Sequence, residues 1–129
     1  MKKLVSYIFP IYNEEGNIDL LFKTMQEVIQ GKVGNYDFEF IFVNDGSRDN
    51  SLELLKNIQR NSHNVKVINF SRNFGHQLAV TAGLDYAKGD AVIIMDSDMQ
   101  DPPKVSIELI KKWEEGWAVV YAQRKTRKD

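Results

Sequence analysis

The sequence predicts an α/β domain with a mainly parallel sheet flanked by helices. Two observations carry that expectation. Short apolar runs of the kind that suit buried strands alternate with segments whose apolar residues recur at helical spacing. Polar, glycine- and asparagine-rich stretches then separate most runs from the helix that follows, as in a chain of strand, crossover helix and parallel strand.

The first run, residues 4–9, lies in "MKKLVSYIFPIYNEE". Two lysines before an apolar run resemble a secretory signal. Pro10 and Asn13 interrupt the run, however, and no small-residue cleavage site follows, so it reads as a strand. Ile18, Leu21, Phe22, Met25, Val28 and Ile29 then form an apolar helical stripe. A second strand is expected at 38–43. The helix after it carries Leu52, Leu55 and Ile58, opened by Asn50 as N-cap with Glu53 three residues on. A third strand at 65–70 leads to a helix striped by Leu78, Ala79, Ala82 and Tyr86, closed by Gly89, in which Gly83 permits close packing. A fourth strand at 91–95 leads through Pro102 and Pro103 to a helix with Val105, Leu109, Ile110 and Trp113, closed by Gly116. A fifth strand is expected at 118–121, before a polar "RKTRKD" end.

At 129 residues the chain is one domain's worth. It is 43% apolar and 27% charged, ordinary for a folded protein. A net charge of −1 argues against a nucleic-acid partner, which normally selects a basic excess. The absence of cysteine excludes disulfides and thiolate chemistry. No apolar stretch is long enough to span a membrane.

In open parallel sheets, ligands sit outside the carboxyl ends of the strands. Four of the five expected strand ends carry unusual polar residues. In "AVIIMDSDMQDPP" an apolar run ends abruptly in Asp96, Asp98 and Asp101. Two carboxylates ~5 Å apart at an effective dielectric of ~20 repel by roughly 3 kcal/mol. A divalent cation beside them removes that cost, and Mg²⁺ or Mn²⁺ favours oxygen ligands, with the Gln100 amide as a third. The plainer alternative is a solvated acidic turn with Asp101 capping the next helix. In "NDGSRDNS" turn and cap chemistry explains everything but Asp45, which is placed to accept a nucleobase N–H. "FPIYNEEGNI" offers Tyr12 to a flat ring, while Glu14 and Glu15 suit a helix start. "SRNFGHQ" sets Arg72, Gly75 and His76 near a helix N-terminus, where backbone amides bind phosphate or ribose oxygens; His76 alone reads as a structural hydrogen-bonder. Arg124, Lys125, Arg127 and Lys128 form either a solvated tail or a counter-charge for a diphosphate or an anionic membrane.

In their order and spacing, "IFPIYNEEGNI", "VNDGSRDNS", "FSRNFGHQLAVTAGLDYAKGD", "DSDMQDPP" and "YAQRKTR" resemble the inverting family 2 glycosyltransferases of GT-A (Rossmann-like) fold. The likeness is closest to the dolichyl- and polyprenyl-phosphate sugar transferases. It implies a nucleotide-sugar site of Pro10, Tyr12, Asn13, Glu14, Asp45, Gly75, Asp96, Ser97 and Arg124. It also implies a Mg²⁺ or Mn²⁺ site of Asp96, Asp98 and Gln100. The donor implied is a UDP-hexose, with GDP-mannose open, and the acceptor a polyprenyl phosphate. Residues 1–123 would be the nucleotide-sugar-binding part, truncated after the fifth strand. Residues 124–129 would be a basic tail leading to a C-terminal region that holds the catalytic base, beyond Asp129. The expectations that follow are little transfer by this portion alone, self-association through an uncovered apolar face, and work at the cytoplasmic face of a membrane.

Other classes fit less well. A receiver-like signalling module needs an acidic pair after the first strand and an Asp after the third, where "PIYNEE" and "SRN" stand. A D-x-D phosphatase would carry its nucleophile after the first strand, and a dinucleotide fold needs G-x-G-x-x-G there. A non-catalytic nucleotide-sugar sensor stays open.

Overall fold

The computed structural model describes residues 2–97 and 104–116. Four parallel strands form one sheet in the order β3-β2-β1-β4. They are β1 (Lys3–Ile11), β2 (Tyr36–Asn44), β3 (Val65–Asn69) and β4 (Ala91–Ile94). The intervening helices are α1 (Ile18–Ile29), α2 (Ser51–Asn61), α3 (His76–Tyr86) and α4 (Val105–Glu114), with a short 3₁₀ turn at Gln30–Lys32. The expected fifth strand and basic tail lie outside the described residues.

Each of the four described strands stands where an apolar run predicts it, but β1 and β2 are each three residues longer than expected. β1 continues through Pro10 to Ile11. Pro10 brings no N–H, and the sheet accommodates it because of where it falls. Ile8 O accepts the Met95 N–H, so by the alternation of peptides along a strand the Pro10 nitrogen also faces β4, whose paired register has ended at Ile8.

The two faces of the sheet differ. On one, Tyr7 and Phe9 of β1 lie beside their register partners Phe40 and Phe42 of β2, with ring centroids 5.6 and 5.2 Å apart. Phe22 of α1 meets Phe40 edge-on at 5.6 Å. Such pairs add about 0.5–1.5 kcal/mol each beyond their buried area. α1, α2 and α4 complete this core through Leu21, Met25, Leu55, Ile58 and Ile110. The fully buried Tyr7 hydroxyl donates to Ser106 Oγ at 2.8 Å, tying β1 to α4, and burial pushes its pKa up to about 12.

The other face carries Ile8, Ile41 and Val43, covered by α3. There a Cβ on Gly83 would sit 2.5 Å from Ile8 Cγ2, so glycine is what lets the helix approach β1. The predicted stripe on α3 is only partly the buried face. Ala79 and Gly83 are buried, but Leu78 and Tyr86 are 51% and 58% exposed. Asn50 occupies the N-cap position of α2 without a side-chain capping bond; the Ser51 amide donates instead to Asp49 Oδ1 at 2.9 Å.

β1, β2 and β3 are laid outward in sequence, and the chain then returns to place β4 beside β1. That reversal puts α3 on the opposite face and opens a crevice between the carboxyl ends of β1 and β4.

Candidate functional site

Three loops meet at that crevice. The β1–α1 loop turns sharply at Asn13, whose φ of 52° is left-handed and costs a side chain roughly 1–2 kcal/mol. The β2–α2 loop holds it there. Asn13 N–H donates to Ser47 Oγ at 2.9 Å, and Asn13 Oδ1 accepts the Arg48 N–H at 2.7 Å. Glu14 N–H donates to Ser51 Oγ at 2.9 Å and Glu15 N–H to Asp49 Oδ2 at 3.1 Å, while Glu15 Oε1 accepts the Asn50 N–H at 2.9 Å. Burial pushes the Asp49 carboxyl up, but the Ser51 hydroxyl and amide and the Glu15 amide outweigh it and hold the group below its usual range. "YNEE" and "DGSRDNS" are thus zipped by reciprocal side-chain and backbone bonds.

The third loop, 71–75, joins β3 to α3 and folds against the end of β2. Asp45 is buried, and its carboxylate accepts bonds from Asn73, Phe74 and Gly75. Arg72 lies over the Phe74 ring at 4.2 Å.

Between the three loops lies an open cleft of about 550 Å³, within the range of small-ligand sites. Pro10, Ile11, Tyr12 and Glu14 line it from the β1 side, and Asp96 and Ser97 from the end of β4. Asp45, Asn73, Gly75 and His76 close the third wall. Tyr12 is 44% exposed, presenting an aromatic surface at the rim. Glu14 Oε1 accepts the Asn17 side-chain amide at 2.8 Å.

Most of the site expected from sequence comes together here: Pro10, Tyr12, Glu14, Asp45, Gly75, Asp96 and Ser97 share the cleft. Asn13 does not line it and serves the loop zipper instead. His76, read as structural, is a lining residue, and Asn73 was not singled out. Its only signal was membership of the "SRN" strand end. Asp98, Gln100 and Arg124 lie outside the described residues. Among the described residues no group of three His, Asp or Glu stands ready to hold a metal. Asp96 contributes one half-buried carboxylate to the cleft, a donor suited to a hard cation that keeps water or phosphate in its shell.

The model of the glycosyl transferase family 2 matches residues 6–129. The chain belongs to that family. Among its relatives, the uncharacterized glycosyltransferase YkcC of Bacillus subtilis is 50% identical over 123 residues, covering 95% of this chain and 38% of the relative. The bactoprenol glucosyl transferase of Shigella phage SfV is 41% identical over 123 residues, covering 95% of this chain and 39% of the relative. The chain thus spans about two fifths of the length of these relatives. In fold it is similar to the mannosyltransferase PcManGT from Pyrobaculum calidifontis, solved with GDP-Man and Mn²⁺. That match has a TM-score of 0.71 and 20% identity, covering 88% of this chain and 32% of the other. It is also similar to S. aureus TarS solved with UDP-GlcNAc, with a TM-score of 0.66 and 28% identity, covering 87% and 32%. The architecture is the GT-A fold. Its strand order also excludes a receiver module, in which β3 lies beside β1 and not beside β2.

Proposed function

We propose that this family 2 chain forms the donor-binding part of a glycosyltransferase that takes a sugar from a nucleotide-sugar, a UDP-hexose before GDP-mannose. The whole protein would pass it, with inversion, to a polyprenyl phosphate at the cytoplasmic face of a membrane. The observation that carries the reading is the convergence of the β1, β2 and β4 ends on one cleft at the point where the strand order reverses. The relatives support the acceptor: bactoprenol glucosyl transferases match over 95% of this chain.

In this reading Tyr12 lies against the nucleoside and Pro10 and Glu14 border it. Asp96 turns its carboxylate to the sugar–diphosphate side, where Ser97 adds a hydroxyl. Asp98 and Gln100 would join Asp96 in holding Mg²⁺ or Mn²⁺, and Arg124 would supply positive charge to the phosphates. Bound there, the cation supplies neutralisation of the diphosphate leaving group. The chain's own residues orient the donor so that the anomeric carbon is open to the acceptor, and the catalytic base is supplied from beyond Asp129. No helix among the described residues is long and apolar enough to cross a membrane.

Calorimetric titration of UDP and GDP, with and without Mn²⁺, tests this. Metal-dependent binding of UDP, abolished in Asp98→Ala, is expected. A folded chain that binds neither nucleotide contradicts the reading.

A further inference from the structure

Along residues 12–15 the side chains of the β1–α1 loop alternate in their use. Tyr12 and Glu14 line the cleft, while Asn13 and Glu15 accept bonds from the β2–α2 loop. The N–H groups of Asn13, Glu14 and Glu15 are taken by the same loop, at Ser47 Oγ, Ser51 Oγ and Asp49 Oδ2. Five bonds thus join residues 13–15 to the stretch 47–51, none of which lines the cleft.

The far side of this zipper is itself anchored. Ser51 is fully buried at the start of α2. Ser47 N–H donates to Oδ1 of the buried Asn44 at 3.3 Å, and Asn44 Nδ2 donates to Asn69 Oδ1 at 2.8 Å. Asn44 is the register partner of both Ile11 and Asn69, so the zipper ends on three strands at once.

Tyr12 stands between two held residues. Ile11 is buried at the end of β1, and its carbonyl accepts the Asp45 N–H at 2.8 Å. Asn13 is clipped on the other side, at a φ of 52° that asparagine, aspartate and glycine visit most readily. Among the described residues the Tyr12 side chain makes no hydrogen bond and no ring contact of its own. The direction of its ring therefore follows from the backbone that carries it.

We infer that Asn13 is a positioning residue that acts through Tyr12: its left-handed backbone and its bonds to Ser47 and Arg48 hold the aromatic ring at the rim of the cleft. The inference rests on the nucleotide reading of that cleft. It makes the β2–α2 loop a remote determinant of nucleoside affinity. It also sets a ceiling, because loosening Asn13 can forfeit no more than the ring itself contributes.

A double-mutant cycle on UDP affinity in the presence of Mn²⁺ tests this, with urea unfolding to establish that each variant is folded. Tyr12→Ala is expected to weaken UDP by about thirtyfold. Asn13→Ala, which loses both the turn and the Arg48 bond, should weaken it by about tenfold. Asn13→Gly keeps the turn and loses the bond, and should fall between. Asn13→Asp keeps both and should bind within about threefold of the wild type. In the Tyr12→Ala background, Asn13→Ala should cost less than about twofold more. Losses that multiply in the double variant overturn the inference, since Asn13 would then act on the ligand or the fold independently of the ring. Should Asn13→Ala not fold, Ser47→Ala cuts the zipper from outside the cleft, and its loss too must vanish without Tyr12. UDP bound equally well by the wild type and by folded Asn13→Ala overturns the inference alone. A folded wild type that binds no UDP overturns the reading of the cleft and the inference with it.

Discussion

The two ends of α3 are held by two buried carboxylates of the same strand region, and they are held differently. At its start, Asp45 binds neutral amides of residues 73–75 beside the cleft. At its end, Glu39, 6% exposed within β2, accepts the Lys88 N–H at 2.8 Å and the Ser6 hydroxyl at 2.5 Å, and pairs with Lys66 Nζ at 2.9 Å. Ser6 Oγ in turn accepts the Gly89 N–H at 2.9 Å, and Asp90 brackets Leu4 through backbone and side chain. The Glu39 end is a closed knot with a counter-ion and no cleft residue. The Asp45 end is a seat facing open space. One carboxylate holds the fold and the other holds a wall of the site.

The largest effect is expected from breaking the closed end. Glu39→Ala leaves the Ser6 hydroxyl and the Lys88 amide without their acceptor, and should lower unfolding free energy by about 2–4 kcal/mol. Urea denaturation measures this directly. The same knot makes the protein acid-sensitive. Burial raises the Glu39 pKa, but the Ser6, Lys88 and Lys66 interactions outweigh it and hold the carboxyl below the usual range. Its stabilisation is therefore complete above the unfolded value near ~4.3 and disappears as pH falls through the lower folded value. The urea midpoint of the wild type should drop more steeply between about pH 5 and 3 than that of Glu39→Gln.

A smaller loss is expected from disturbing the middle of α3. Gly83→Ala forces a Cβ against Ile8. Overpacking of about 1–3 kcal/mol, set against roughly 1 kcal/mol of helix propensity gained, leaves a net loss of about 1 kcal/mol. A thermal midpoint above the wild type's would show that β1 yields freely there. The smallest effect belongs to Lys66→Ala. Lys66 is 41% exposed at its side chain, so removing it should cost under about 1 kcal/mol, even though it is Glu39's only charged partner among the described residues.

The α3 region also shows where the sequence was and was not readable. The strands were legible because β1 and β2 are buried on both faces and read as continuous apolar runs. α3 was legible as a helix but not in its orientation. Its apolar residues are spread around the helix instead of gathered on one side, so periodicity selects no unique inward face, and the stripe through Leu78 and Tyr86 points partly to solvent. The site was legible at the strand ends, since strand-end polar residues converge in any such sheet. What sequence spacing conceals is which of those residues hold one another. Asn13 finds Ser47 and Arg48 across 34 and 35 residues, and Asp45 finds Gly75 across 30. Both contacts depend on strand order, which local pattern does not encode. Asn13, with strong ligand chemistry on paper, is committed to building the loops, whereas Asp45 both braces a loop and lines the cleft.

The most direct test of this division of labour is UDP affinity in the presence of Mn²⁺, measured side by side for Asp45→Asn and Glu39→Gln. The account predicts that Asp45→Asn weakens UDP by about tenfold or more while remaining folded. It predicts that Glu39→Gln melts lower yet binds UDP within about twofold of the wild type. Equal losses in the two variants, or a loss confined to Glu39→Gln, would contradict it.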